Sequence, residues 1–200
     1  MKKILALVLA RKNSQRLRNK NILKLKNKPL ILWTFDLLKK KAIRNLFVNV
    51  MVSTDSSKIK NYARNYSFLS PWIRPKQLSG KNISSEHAAI HAINWYEKEF
   101  ENIDAVFLFQ PTSPFRFQKD IIEAIKIYKK KNKQVVSICS KKTYKFNKNQ
   151  INGSLYLSPV LVLKKFKTFK KKGFEKIKIP SYSRNVDIDT AKDMEKAHKV

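Results

Sequence analysis

The chain has 200 residues, 42% of them hydrophobic and 11% aromatic, and a formal charge of +30. That length fits one domain with a real core, and the composition excludes the low-hydrophobicity profile of a disordered chain. The longest apolar runs, Ile4–Ala10 and Ala105–Phe109, fall far short of the roughly 20 residues a membrane helix needs, and the lone Cys139 excludes an intramolecular disulfide or a cysteine metal cluster.

Met1-Lys2-Lys3-Ile4 imitates a signal peptide, but Arg11 and Lys12 cut the apolar run short and no small-residue cleavage site follows. Ile4–Ala10 therefore reads as a buried first strand of a cytoplasmic protein, followed by a polar loop, Arg11–Asn21. A helix is predicted from about Pro29 to Lys40, with proline at its start where the missing N–H does no harm. Leu46–Ser53 is a Val-rich second strand. Ser56–Asn65 is a helix capped by Asp55 or Ser56, and Ser84–Phe100 a longer one. Ala105–Phe109 is a third strand and ends at Gln110-Pro-Thr-Ser-Pro114. Asp120–Lys130 is helical and Val135–Cys139 is a fourth strand, with Cys139 read as core. Lys141–Gln150 is irregular, Ser154–Leu157 is a fifth strand, and Lys176–Ile179 is a candidate sixth. Thr190–Lys199 is the last helix, with Thr190 and Asp193 in capping-box spacing.

Strands alternating with helices predict an α/β fold of three layers around a mainly parallel sheet, in a single domain over residues 1–200. Ligands in such sheets sit at the carboxyl ends of the strands. That rule points at three polar segments just past strands: Arg11–Asn21, Ser53–Asp55 and Gln110–Ser113.

The charge invites a nucleic-acid reading. Yet 36 of the 44 basic residues are lysines, set in short groups such as Lys129–Lys131 and Lys170–Lys172 at predicted helix ends and loops. The arginine–aromatic interleaving that favours base recognition is missing. The lysines read as a solvated surface, with no specific nucleic-acid or membrane partner.

The first loop, Arg11-Lys-Asn-Ser-Gln-Arg-Leu-Arg-Asn-Lys-Asn21, gathers cations and amide or hydroxyl donors, as a triphosphate requires. It lacks both GxxxxGK[ST] and GxGxxG, and a solvated basic turn accounts for it equally well. Asp187-Ile-Asp189 would place two carboxylates on one side of an extended stretch, where they can share a hard cation or cap the following helix. His87 and His91 stand one helical turn apart without a third ligand or the glutamate of HExxH, and read as packed or surface residues.

Five segments in order resemble the acylneuraminate (CMP-sialic acid) cytidylyltransferases. They are Leu9–Ile22 with Asn27–Ile31, Val50–Asp55, Arg74-Pro75 with Ser84-Ser85, Leu108–Arg116, and Asn152-Gly153 with Val186–Thr190. The resemblance implies a Rossmann-like nucleotidyltransferase that transfers CMP from CTP to an acidic sugar of the sialic-acid type. It implies that Arg11, Asn13, Ser14, Gln15, Lys20 and Asn21 hold the phosphates and ribose. Arg74, Ser84 and Gln110 would contact the cytidine, and Asp187 and Asp189 would hold Mg²⁺. Lys20, Asp187 and Asp189 are then the expected catalytic residues. Asn13, Gln15, Arg16 and Arg18 replace glycines, a lysine and a proline of the family loop. Asn13 would supply the left-handed geometry of a lost glycine, and Arg16 or Arg18 the charge lost at Gln15. The arm around residues 140–152, which in the family serves dimerisation and the sugar pocket, is short here, and a homodimer is compatible with it. The alternatives are a cytidylyltransferase for Kdo or another sugar, and a non-catalytic basic protein that binds nucleic acid.

Overall fold

A computed structural model describes residues 2–80, 83–139, 151–179 and 186–200, and the side chains of all of these except 139 and 151–153. The short arm expected at 140–152 therefore lies almost wholly outside the described residues, as does the packing of the Cys139 side chain.

The first strand, β1 (Ile4–Ala10), is buried along nearly its whole length. Its side chains alternate between two cores. Ile4, Ala6, Val8 and Ala10 join one cluster, and Leu5 and Leu7 join the other. A strand covered on both faces has to be apolar at every position, which is why its sequence is an unbroken hydrophobic run. A short hairpin follows, β2 (Lys24–Leu25) with β3 (Lys28–Pro29). Its two turn residues, Lys26 and Asn27, have φ of 48° and 64°, the positive values that a tight two-residue hairpin requires.

Helices α1 (Leu30–Lys39) and α2 (Lys41–Arg44) lead to β4 (Val50–Thr54). The strand starts four residues later than the sequence predicts. Leu46 and Phe47 instead donate their backbone N–H groups to Ile43 and Arg44 in a turn, so that apolar stretch packs as a corner. Helix α3 (Ser57–Asn65) is capped by the Ser56 hydroxyl, one of the two predicted caps, and α4 (Ser85–Glu99) by that of Ser84.

Strand β5 (Ala105–Phe109), helix α5 (Gln118–Lys131) and β6 (Val135–Cys139) follow as the sequence predicts. Strand β7 (Ile151–Pro159) is longer than predicted and contains Asn152-Gly153. Val136 pairs with Tyr156 but Ile138 with Ile151. Strand β7 thus spends five steps where β6 spends two, and Asn-Gly sits in the resulting irregularity. Helix α6 (Val160–Phe166), β8 (Glu175–Ile179) and α7 (Ala191–His198) complete the chain.

The six-stranded sheet has the order β4-β1-β5-β7-β6-β8. It is parallel except for β7, which runs antiparallel to both β5 and β6. Helices α1, α3 and α5 cover one face, and α4 and α6 cover the other. A third cluster joins Leu25 and Leu30 to Val186, Ile188, Met194 and Ala197. It pins the segment before α7 against the start of α1. No helix among the described residues is long and apolar enough to cross a membrane.

Candidate active site

The parallel strands β1, β4 and β5 end side by side, so the loops that leave them share one end of the sheet. Two cavities open there. The first, of about 320 Å³, is walled by Arg11, Ser14, Gln15, Arg16, Lys20 and Asn21 of the first loop. Gln110 to Thr112 after β5, with Asp187 and Asp189, close it. The second, of about 290 Å³, lies between Arg74, Ser79, Gly80, Ser84 and the start of α4. Leu9, Arg11 and Gln110 belong to both walls, so the cavities adjoin.

The first loop is held by its own polar atoms. The buried Asn21 donates through Nδ2 to the Arg11 carbonyl at 2.9 Å, which bends the loop back over the end of β1. The Lys12 amide donates to Asp55 at 2.5 Å. The left-handed position of this loop is Asn19, at φ 55°, and Asn13 has no positive φ. The expectation that Asn13 replaces a glycine's geometry is therefore not met, because the chain reverses at Asn19 instead. Asn13 is exposed and outside both walls.

The charges of the first cavity are paired across it. Lys20 is only 8% exposed, and its Nζ lies 2.7 Å from one oxygen of Asp189. Arg16 reaches the other oxygen at 3.1 Å. Asp189 thus lies between two cations that come from a loop 170 residues earlier, a convergence that spacing alone does not show. Of the two replacements weighed for the charge missing at Gln15, the structure brings Arg16 to the cavity wall.

Asp187 opens onto the same cavity. Although the cavity leaves Asp187 open to solvent, the protein atoms packed around its carboxyl displace water and raise it above the usual carboxylate range. A hydrogen bond from Thr112 opposes that shift and the charge of Asp189 adds to it. Neither aspartate caps α7. The Thr190 hydroxyl and the Asp193 carboxylate form the capping box by themselves, which removes capping as the reason for Asp187 and Asp189. Ile188 between them donates its N–H to the Thr112 carbonyl at 2.8 Å and buries its side chain in the third core cluster. The aspartates are therefore aimed by a buried residue between them.

Among the described residues no group of three or more metal-ligating side chains occurs. Two carboxylates facing one polar cavity still fit a magnesium ion, which takes one or two from protein and completes its shell with water and phosphate oxygens. The mutual repulsion that helps raise Asp187 is what a cation would relieve.

Arg74 is 5% exposed, donates to Ser79 at 3.3 Å and lies 3.9 Å from Asp55. Burial lowers its pKa while the Asp55 charge opposes that shift. Asp55 thus joins the first loop to the second cavity, a role that sequence reading left open. Ser84 contacts His87 Nδ1 at 2.9 Å. His91 stacks edge-on with Trp72 at 5.1 Å, so the two histidines are engaged separately, as packing predicts.

Arg116, the last residue of the segment Leu108–Arg116, organises the site from beneath. Arg116 is buried and donates to the backbone carbonyls of Gln110, Ser113 and Ser154 and to the Thr34 hydroxyl. It fixes the turn that carries Gln110 and Thr112 into the first cavity. Its place two residues past Pro114 does not record that the guanidinium turns inward, because that depends on the carbonyls the fold brings around it.

Comparison with known proteins agrees with this geometry. Residues 5–155 match the family model described as cytidylyltransferase. The chain is 31% identical to a CMP-N,N'-diacetyllegionaminic acid synthase from Legionella pneumophila, over 96% of this chain and 93% of that one. It is 38% identical to an N-acylneuraminate cytidylyltransferase from Escherichia coli, over 68% of this chain and 31% of that longer one. Among solved structures, a CMP-2-keto-3-deoxy-manno-octonic acid synthetase complexed with CTP superposes with a TM-score of 0.73. It is 13% identical and covers 98% of this chain and 97% of its own, a likeness of fold. With its polar, doubly walled cleft at the carboxyl ends of β1, β4 and β5, the chain belongs to the cytidylyltransferase family, of the acylneuraminate type.

Proposed function

We propose that this protein transfers CMP from CTP to a nonulosonic acid sugar and releases pyrophosphate. The observation that carries the reading is the pair of adjoining cavities with Arg11 and Gln110 common to both. One wall set is suited to a nucleoside and the other to a charged reacting centre. The relatives support the sugar class, since proteins 31% to 38% identical carry the names of legionaminic, neuraminic and pseudaminic acids.

In this reading the second cavity takes the cytosine and ribose. Arg74 and Ser84 supply donors from a wall that Asp55 and Ser79 hold in place. The triphosphate lies across Arg11 toward Lys20 and Arg16. The anomeric hydroxyl of the sugar attacks the α-phosphorus, the bond to the β-phosphate oxygen breaks, and pyrophosphate leaves in line. Such a reaction asks little covalent work of the protein, and positioning and charge stabilisation carry it. Lys20 and Arg16 release Asp189 as they turn to phosphate oxygens. A Mg²⁺ held by Asp187 and Asp189 would neutralise charge on those oxygens.

The test is pyrophosphate release from CTP, UTP, ATP and GTP, each offered with nonulosonic sugars and with Kdo, with and without Mg²⁺. Release is expected with CTP and a nonulosonic acid in the presence of Mg²⁺. Equal release from all four nucleotides would remove the cytidine assignment, and turnover of Kdo alone would move the substrate to the other acid sugar.

A further inference from the structure

The lysines that look dispersed in the sequence are not all dispersed in space. At the end of the sheet opposite the active site, the carboxyl end of α5, the turn after α6 and the start of β8 meet at one residue. Gln134 donates to the Thr168 carbonyl at 2.6 Å and to the Ser158 hydroxyl at 2.9 Å. It accepts from the Lys171 amide at 2.8 Å, and its own carbonyl accepts from the Glu175 amide. This buried amide draws the runs Lys129–Lys131 and Lys170–Lys172 to one corner, and both runs are exposed. Gly173, at φ 87°, makes the turn that presents the second run.

The corner is one-signed and partly apolar. Residues 160–178 contain eight lysines and one acid, Glu175. Glu175 is paired with Lys131, and the neighbouring Glu97 with Lys164. Leu161 is 82% exposed, the highest value among the large hydrophobic residues described, and Phe166 is 40% exposed. Lys165 lies one helical turn beyond Leu161 and within 5.5 Å of the Phe166 ring, over which Lys171 sits at 3.4 Å. Exposed aliphatic side chains such as Leu161 neither stack on bases nor gain from a phosphodiester backbone, and the Phe166 ring is already covered by Lys171. Such side chains gain from the boundary between phosphate headgroups and acyl chains, to which the lysines are also drawn.

We propose that this corner docks the protein on an anionic phospholipid surface, with Leu161 and Phe166 entering the interface and the lysine runs lying on the headgroups. Strands β5, β6 and β8 all begin at this end, and β5 delivers Gln110 at the other. The docked protein therefore keeps its cleft facing solvent. The inference is independent of the substrate assigned above.

The experiment is co-sedimentation of the whole protein at physiological salt with vesicles of phosphatidylcholine, alone or with one third phosphatidylglycerol. Binding is expected only to the anionic vesicles. Lys170→Gln, Lys171→Gln and Lys172→Gln together should weaken it roughly a hundredfold, from the usual contribution of one lysine near a charged membrane. The same charge loss at Lys58, Lys192 and Lys199, exposed and outside this corner, should weaken it only a few-fold. Leu161→Ser should lower vesicle binding and leave binding to a single-stranded RNA of mixed sequence unchanged. Equal losses from the two lysine triples would overturn the proposal in favour of undirected charge attraction. So would an inert Leu161→Ser, or RNA binding that is tighter than vesicle binding and lost with the 170–172 triple.

Discussion

The two ends of the central sheet both carry cations, but of different kinds. At the carboxyl ends they are few and placed. Lys20 and Arg74 are almost fully buried and each faces a carboxylate. At the amino ends they are many and exposed, and the acids near them are already paired. A buried cation keeps its position and acts in a low dielectric, where each charge counts for more. An exposed lysine is screened and mobile, and contributes through number rather than geometry. The net charge of +30 is therefore a poor guide to where the chemistry lies.

That contrast can be broken first at Arg116. Replacing it with Met removes its hydrogen bonds to three backbone carbonyls, of which that of Gln110 keeps the Ser113 N–H. At about 1–3 kcal/mol for each unsatisfied buried group, the missing donor at the other two carbonyls should appear in denaturant unfolding as a loss of about 2–6 kcal/mol. A loss below about 1 kcal/mol would show that the turn holds itself. Next comes the reacting centre. Asp189→Asn and Asp187→Asn should each cut turnover about a hundredfold, the scale of one lost electrostatic contact to a transition state, while the fold remains. Near-normal turnover at limiting Mg²⁺ would take both residues out of the metal site.

The same substitutions sharpen the comparison through pH. Asp187 has its carboxyl raised, first by burial and then by the charge of Asp189, against the Thr112 hydrogen bond. A carboxyl raised in the folded state binds its proton more tightly there than in the unfolded chain. Its stabilising contribution is full below pH 3.8, the ordinary value, and is lost as pH rises through the folded-state value. The melting temperature of Asp187→Asn should therefore rise relative to the parent as pH increases above that point. An unchanged gap across the range would mean that Asp187 ionises as freely as in water. A smaller effect is expected at the cap, where Thr190→Ala should cost about 1 kcal/mol in thermal or denaturant unfolding. The smallest is at the opposite end. The Lys170→Gln, Lys171→Gln, Lys172→Gln triple should leave turnover unchanged and stability within about 0.5 kcal/mol, and any large loss of CMP transfer would show that the two ends are coupled.

Much of this protein was legible before its fold. Strands β1, β5 and β6 have the predicted bounds because strands covered on both faces must be continuous apolar runs. The caps Ser56 and Thr190 announced two helices because their hydroxyls satisfy N–H groups that no helix satisfies for itself. The polar segments after strands, together with the family resemblance, pointed at the first loop, Gln110 to Thr112 and the two aspartates of the cleft, but not at Leu78 to Gly80, and the family model and the relatives show the family. Tertiary structure alone decided the rest. It made Leu46–Phe47 a corner and ran β7 antiparallel, since an apolar run does not record which neighbour covers it. It moved the left-handed turn from Asn13 to Asn19, and it chose Arg16 over Arg18 for Asp189. It also gathered two distant lysine runs around Gln134. A sequence specifies local geometry through short-range sterics and hydrogen bonds, whereas pairings between residues 170 positions apart exist only once the sheet has brought their loops to the same end.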